Sequence, residues 1–94
     1  MKLWKIWQEQ NQTYDTYDSA VVAAETEEVA KKIIPGHGKE WSQDGKLMRR
    51  IRDKVQLDQW PSWASELSAV QVQYLGEASP DIETGIIVAS FNPG

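Results

Sequence analysis

This 94-residue sequence predicts an α+β domain built on a four-stranded antiparallel sheet. Three observations predict it. Val70, Val72 and Tyr74 alternate with Gln71 and Gln73, the period of a strand with one face in a core. Two apolar runs, Ala20 to Ala24 and Ile86 to Ala89, have the composition of strands covered on both faces. Between these runs, Thr26 to Ile34 carries the marks of a capped amphipathic helix. A chain of this length holds one core, so residues 1–94 read as a single domain with a variable middle at about 36–62. The expected element order is ββαββ, with one or two helices packed on the sheet.

The elements follow in chain order. Residues 2 to 8 mix Leu3, Trp4, Ile6 and Trp7 with Lys2, Lys5 and Gln8, a β-prone run that places Trp4 and Trp7 on opposite faces. A polar connection over residues 9 to 16 is of hairpin type and leads to a second strand, Tyr17 to Ala24. Thr26 is the expected N-cap of the helix, Glu27 and Glu28 suit its positive end, and Lys31 and Lys32 suit its negative end. Val29 with Ile33 and Ala30 with Ile34 form its apolar stripe before Pro35-Gly36 stops it. Lys46 to Gln59 fits two periods. As a helix it lines up Leu47, Met48, Ile51 and Val55; as a strand it puts Leu47, Ile51, Val55 and Leu57 on one side. Its length favours the helix. Gly76 to Glu83 is a turn, and Gly85 to Phe91 is the last strand, with the two-faced apolar character of a central one.

Composition narrows the function classes. The sequence has no cysteine, which removes disulfides, thiol nucleophiles and cysteine-ligated zinc. The N-terminal residues lack the apolar core of a signal peptide, and no run approaches the length of a membrane span, so the cytoplasm is the expected compartment. A net charge of −4 argues against binding nucleic acid or a membrane through overall charge.

Two stretches carry a family resemblance. Tyr14-Asp15-Thr16-Tyr17-Asp18-Ser19-Ala20-Val21-Val22-Ala23-Ala24-Glu25 is one; Val72-Gln73-Tyr74-Leu75-Gly76-Glu77-Ala78, followed by Ile87-Val88-Ala89-Ser90-Phe91-Asn92-Pro93-Gly94, is the other. They resemble a group of short uncharacterised bacteriophage and prophage proteins that share a YDSAVV-like strand, a YIGEA-like strand and an ASFNAG-like C-terminus. The resemblance covers residues 14 to 34 and 63 to 94, with Pro93 standing where the group has Ala, and it does not extend to Lys39 to Trp60. It implies a phage or prophage origin and action in the host cytoplasm.

No set of residues spells out a catalytic site. His37, the one histidine, sits in a Gly-flanked loop without an orienting acid or nucleophile at a telling spacing. Asp15 and Asp18 form a carboxylate pair, but acids in a turn entering a strand ordinarily bind the local backbone. No metal or cofactor site is expected. The strongest local departure in charge is Lys46, Arg49, Arg50, Arg52 and Lys54, bordered by Trp41 and Trp60 and then Trp63. Cations beside stacking faces are what nucleotide or single-strand binding uses, whereas the same charges also suit the wet side of an amphipathic segment.

The leading expectation is therefore a non-enzymatic binding protein that occupies a host protein surface, with counter-defence as the role the resemblance suggests. The alternative is a nucleotide or single-stranded nucleic-acid binder using residues 46–54 and the flanking tryptophans. One helix covers only one face of a four-stranded sheet, so the second face is expected to be covered in part by Lys46 to Gln59, with Leu47, Ile51 and Val55 inward, and to be completed by a second copy in a homodimer.

Overall fold

In the computed structural model, which describes residues 1–92, the four sequence-predicted strands form one sheet. Pro93 and Gly94, the end of the ASFNAG-like motif, lie outside the described residues. The elements are β1 (Lys2–Trp7), β2 (Thr16–Ala24), α1 (Glu27–Lys31), β3 (Lys39–Trp41), β4 (Leu47–Ile51), β5 (Lys54–Leu57), a 3-10 turn (Leu67–Ala69), β6 (Gln71–Glu77) and β7 (Gly85–Asn92). The main sheet runs β6-β1-β2-β7 with every neighbour antiparallel. A second sheet, β3-β4-β5, occupies the middle of the chain, so the order is not ββαββ.

Alternation in β1 buries Trp4 and Ile6 and turns Lys5 to solvent. Register places Val22 opposite Trp4 and Ala20 opposite Ile6, so these four share one face. The Trp4 indole N–H donates to the Ala24 carbonyl at 3.0 Å, which satisfies its buried donor. Ala30, Leu47, Trp63, Ala64 and Val70 close over this face as a single apolar cluster. Burial of a Val-, Ile- or Leu-sized side chain there contributes about 1.5–3 kcal/mol.

The helix is shorter than expected. Thr26 caps it, accepting from the Val29 N–H at 3.2 Å, but α1 ends at Lys31. Pro35 disfavours helical geometry at Ile34, and Ile33 and Ile34 reach the core from irregular backbone instead.

The middle segment corrects the helical preference for Lys46 to Gln59. It is a hairpin, with Ile51 paired to Lys54 across the two-residue turn Arg52-Asp53. The length argument failed because two strands of five and four residues were read as one element. Arg52 has a φ of 58°, a left-handed conformation that costs a non-glycine residue about 1–2 kcal/mol. Arg52→Gly is therefore expected to raise stability by about 1 kcal/mol. Urea unfolding checks this: an unchanged or lowered midpoint contradicts the strain.

The second correction concerns β7. Its composition suits a central strand, yet it pairs with β2 alone and stands at the sheet edge.

Candidate functional site

Three surfaces emerge from this architecture. The first is the outer face of the main sheet. By register, Leu3, Lys5, Trp7, Ser19, Val21, Val88 and Ser90 point away from the apolar cluster. Both α1 and the β3–β5 sheet contribute to the cluster on the opposite side, through Ala30 and Leu47. The middle segment thus leaves the outer face uncovered. A shallow depression of about 160 Å³ opens there against Lys5, Val21 and Val88. Lys5 lies over the Trp7 ring at 5.4 Å, a cation–π contact on a face that mixes Leu3, Val21 and Val88 with Ser19, Ser90, Gln71 and Gln73.

This face is continuous with the β7 edge. Ile86, Ile87, Val88 and Phe91 are all exposed, Val88 at 59 %, and no residue from Gly85 to Asn92 is charged. The Phe91 ring packs on Tyr17 at 4.7 Å, which steadies the end of the strand.

The second surface is the basic hairpin. β4 alternation puts Arg49 and Arg50 on opposite faces, where they pair with Gln56 and Val55 respectively. Arg50 is bridged to Glu40 at 2.9 Å and Lys46 to Glu66 at 2.7 Å. The Lys46–Glu66 hydrogen bond holds the ammonium above its usual range and the carboxyl below its own. Arg49, Arg52 and Lys54 make no ion pair among the described residues; Arg52 and Lys54 stand at the hairpin tip, while Arg49 lies mid-strand opposite Gln56. Neither tryptophan joins them in one pocket. Trp41 packs against the core and donates its indole N–H to the Lys32 carbonyl at 3.2 Å, while Trp60 lines a different depression, beside Tyr14. The fold therefore divides the sequence-predicted set between two sheet faces and two loops.

The third surface lies between the β1–β2 loop and the loop after β5. Tyr14, Asp15 and Trp60 meet there around a depression of about 370 Å³. Both walls are tied down. Gln8, buried, donates to the Asn11 and Tyr17 carbonyls at 2.6 and 2.9 Å and accepts from the Asn11 N–H at 2.8 Å. The Asn11 amide in turn donates to the Trp63 carbonyl at 2.9 Å. On the other wall, the Trp60 N–H donates to Asp58 at 3.2 Å, and Lys39 bridges the same carboxylate.

The remaining sequence candidates fall into structural positions. Asp18 accepts from the Asn92 amide at 2.8 Å, and the Asp15 N–H donates to the Asn92 carbonyl at 2.6 Å. His37 is exposed in the loop before β3. Among the described residues no group of three or more His, Asp or Glu side chains is placed to hold a metal ion. No helix among them is long and apolar enough to cross a membrane. Sequence reasoning missed Gln59 and the exposed position of Tyr14, because a polar loop has no period to show which side chains converge.

No family model matches the chain, and no curated protein or solved structure is significantly similar to it.

Proposed function

We propose that the chain is a non-enzymatic binding protein of phage or prophage origin that occupies a host protein in the host cytoplasm, with counter-defence as its role. One observation carries the binding part of this reading: β7 has the composition of a sheet interior and stands at a sheet edge. Natural edges are guarded by charge, proline, shortness or bulges; β7 has eight residues without charge or proline, and the register shift within it leaves Ile87 as the extra residue opposite Val21 and Val22. An extended segment of a partner added there completes the hydrogen-bond ladder and covers Ile87 and Val88. The adjoining outer face, with Leu3, Trp7 and Val21, widens the contact. The direction toward a host protein rests on the resemblance of residues 14 to 34 and 63 to 94 to phage and prophage proteins.

Val88→Lys tests this with little risk to folding, since an exposed substitution typically shifts stability by less than about 0.5 kcal/mol. Tagged wild-type chain is expected to retain a host protein that the folded variant retains at least tenfold less. Equal retention by both overturns the reading.

A second copy is the other occupant that the same strand favours. Two β7 strands paired antiparallel are related by a two-fold axis, so an uncharged edge is complementary to itself. Light scattering at micromolar concentration then gives twice the 10.7 kDa chain mass, reverting to 10.7 kDa in Val88→Lys. A wild-type mass of 10.7 kDa leaves the edge to the host protein.

A further inference from the structure

We propose that the depression between Tyr14 and Trp60 is a binding site for a neutral carbohydrate. Trp60 and Tyr14 are the two most exposed large apolar side chains among the described residues, at 83 % and 77 %, and both line the same depression. Neither belongs to the core, and Tyr14 meets β7 only at its last residue, Asn92, away from Ile87 and Val88. Two aromatic faces at one polar hollow offer π-surfaces to the C–H faces of a pyranose ring.

The lining between them is polar. Asn11, Asp15 and Gln59 supply amides that donate and accept and a carboxylate that accepts. A second depression of about 530 Å³ shares Thr13 and Tyr14 with the first and adds Gln12 and Asn92. Tyr14 thus stands between two adjoining hollows of the size that small-molecule sites occupy, roughly 300–1,000 Å³. Asp15, at a φ of 60°, holds a conformation uncommon outside glycine, Asn and Asp, and such positions concentrate at binding sites. The hydrogen bonds that Gln8 and Asn11 donate, and the one that Asp58 accepts from the Trp60 N–H, fix both walls, so little ordering is left for the ligand to impose.

Charge selects the ligand class. Among the described residues no Lys, Arg or His lines either depression, and Asp15 is the one charged side chain there. A nucleotide would bring phosphates to a carboxylate without a counter-cation. A polyproline-type peptide offers carbonyl acceptors but loses one backbone donor at every proline, so it is the poorer match for that carboxylate. Sugar hydroxyls both donate and accept, and they satisfy the carboxylate and the amides together.

Ligand-observed NMR on the whole chain, with N-acetylglucosamine, cellobiose and maltose as probes, tests the proposal. ATP and a proline-rich decapeptide serve as competing classes. At least one sugar is expected to bind saturably at roughly millimolar concentration. Trp60→Ala, at an exposed position, is expected to abolish that signal with the circular dichroism spectrum unchanged. Asp15→Asn keeps the backbone conformation accessible and is expected to weaken binding about tenfold, the loss of a charge-assisted hydrogen bond. Val88→Lys is expected to leave sugar binding intact, which separates this site from the protein-binding edge. Binding of none of the sugars, binding unchanged in Trp60→Ala, or binding of ATP or the peptide alone overturns it.

Discussion

Replacing Trp63 by alanine is expected to cost about 3–5 kcal/mol, a large share of the stability of a small domain. Trp63 is the largest fully buried side chain, 0 % exposed, and it joins the residues after β5 to Ile6, Val22 and Leu47 in one cluster. The Asn11 amide holds the Trp63 carbonyl in place, which limits how far the loop can collapse into the space the indole would leave. The Trp63 indole N–H has no hydrogen-bond partner among the described residues, so the native side chain carries a desolvation cost of about 1–3 kcal/mol. Trp63→Phe removes that donor while keeping a ring in the core. The phenylalanine variant is therefore expected to lose less than about 2 kcal/mol, the avoided cost offsetting part of the missing volume. Urea unfolding of both variants decides the matter. Equal losses would mean that a phenylalanine ring does not pack in the space the indole fills, and a loss below about 1 kcal/mol in Trp63→Ala would mean that the cluster is not closed around it.

Lys39→Met is expected to cost about as much, roughly 3–5 kcal/mol, through a different mechanism. The Asp58 carboxylate is fully enclosed, and Lys39, itself 13 % exposed, is its only cationic partner among the described residues. Methionine keeps the stem of the lysine but leaves the carboxylate with the Trp60 N–H alone. An enclosed charge stripped of its partner is far costlier than the intact pair is valuable. The double replacement Lys39→Met with Asp58→Leu is accordingly expected to recover most of the loss, and a double-mutant cycle measures the coupling. Additive losses in the cycle would show that the two groups do not depend on each other. Lys39 opens β3 and Asp58 follows β5, so the pair clamps the two outer strands of the small sheet and fixes the loop that presents Trp60.

The main sheet was legible because its strands obey a simple period. Val72 and Tyr74 alternate with glutamines, and Ala20 to Ala24 are apolar throughout, so strand identity followed from local chemistry. Strand order did not. The runs in β2 and β7 have similar composition, yet β2 lies inside the sheet and β7 outside, since apolar residues state a need for neighbours without naming who supplies them. Trp60 and Trp63 make the same point at closer range. They stand three positions apart in one irregular loop, one almost wholly exposed and the other wholly buried, and no periodicity in Trp60-Pro61-Ser62-Trp63 separates them. The basic segment failed as a single site for a related reason: strand alternation sends Arg49 and Arg50 to opposite faces, whereas counting charges in a window treats them as one group. Lys39 and Asp58 lie 19 residues apart, and their pairing exists only once β3, β4 and β5 have come together.

The strand order also sets how the chain reaches its native state. The two strands from the beginning of the sequence lie in the middle of the main sheet, and the two from its end flank them. Only the β1–β2 hairpin is local; Thr16 meets Asn92 across 76 residues, and Lys2 meets Glu77. Loop-closure entropy must be met before either flanking pair contributes, which places folding toward the slow, roughly millisecond-to-second, end of the range for small domains. During that interval the hairpin exposes both of its edges, and the small β3–β5 meander, whose pairings are all local, forms first and tethers the late strands nearby. The domain thus assembles from its centre outward, with β7 docking on a template that β2 already presents.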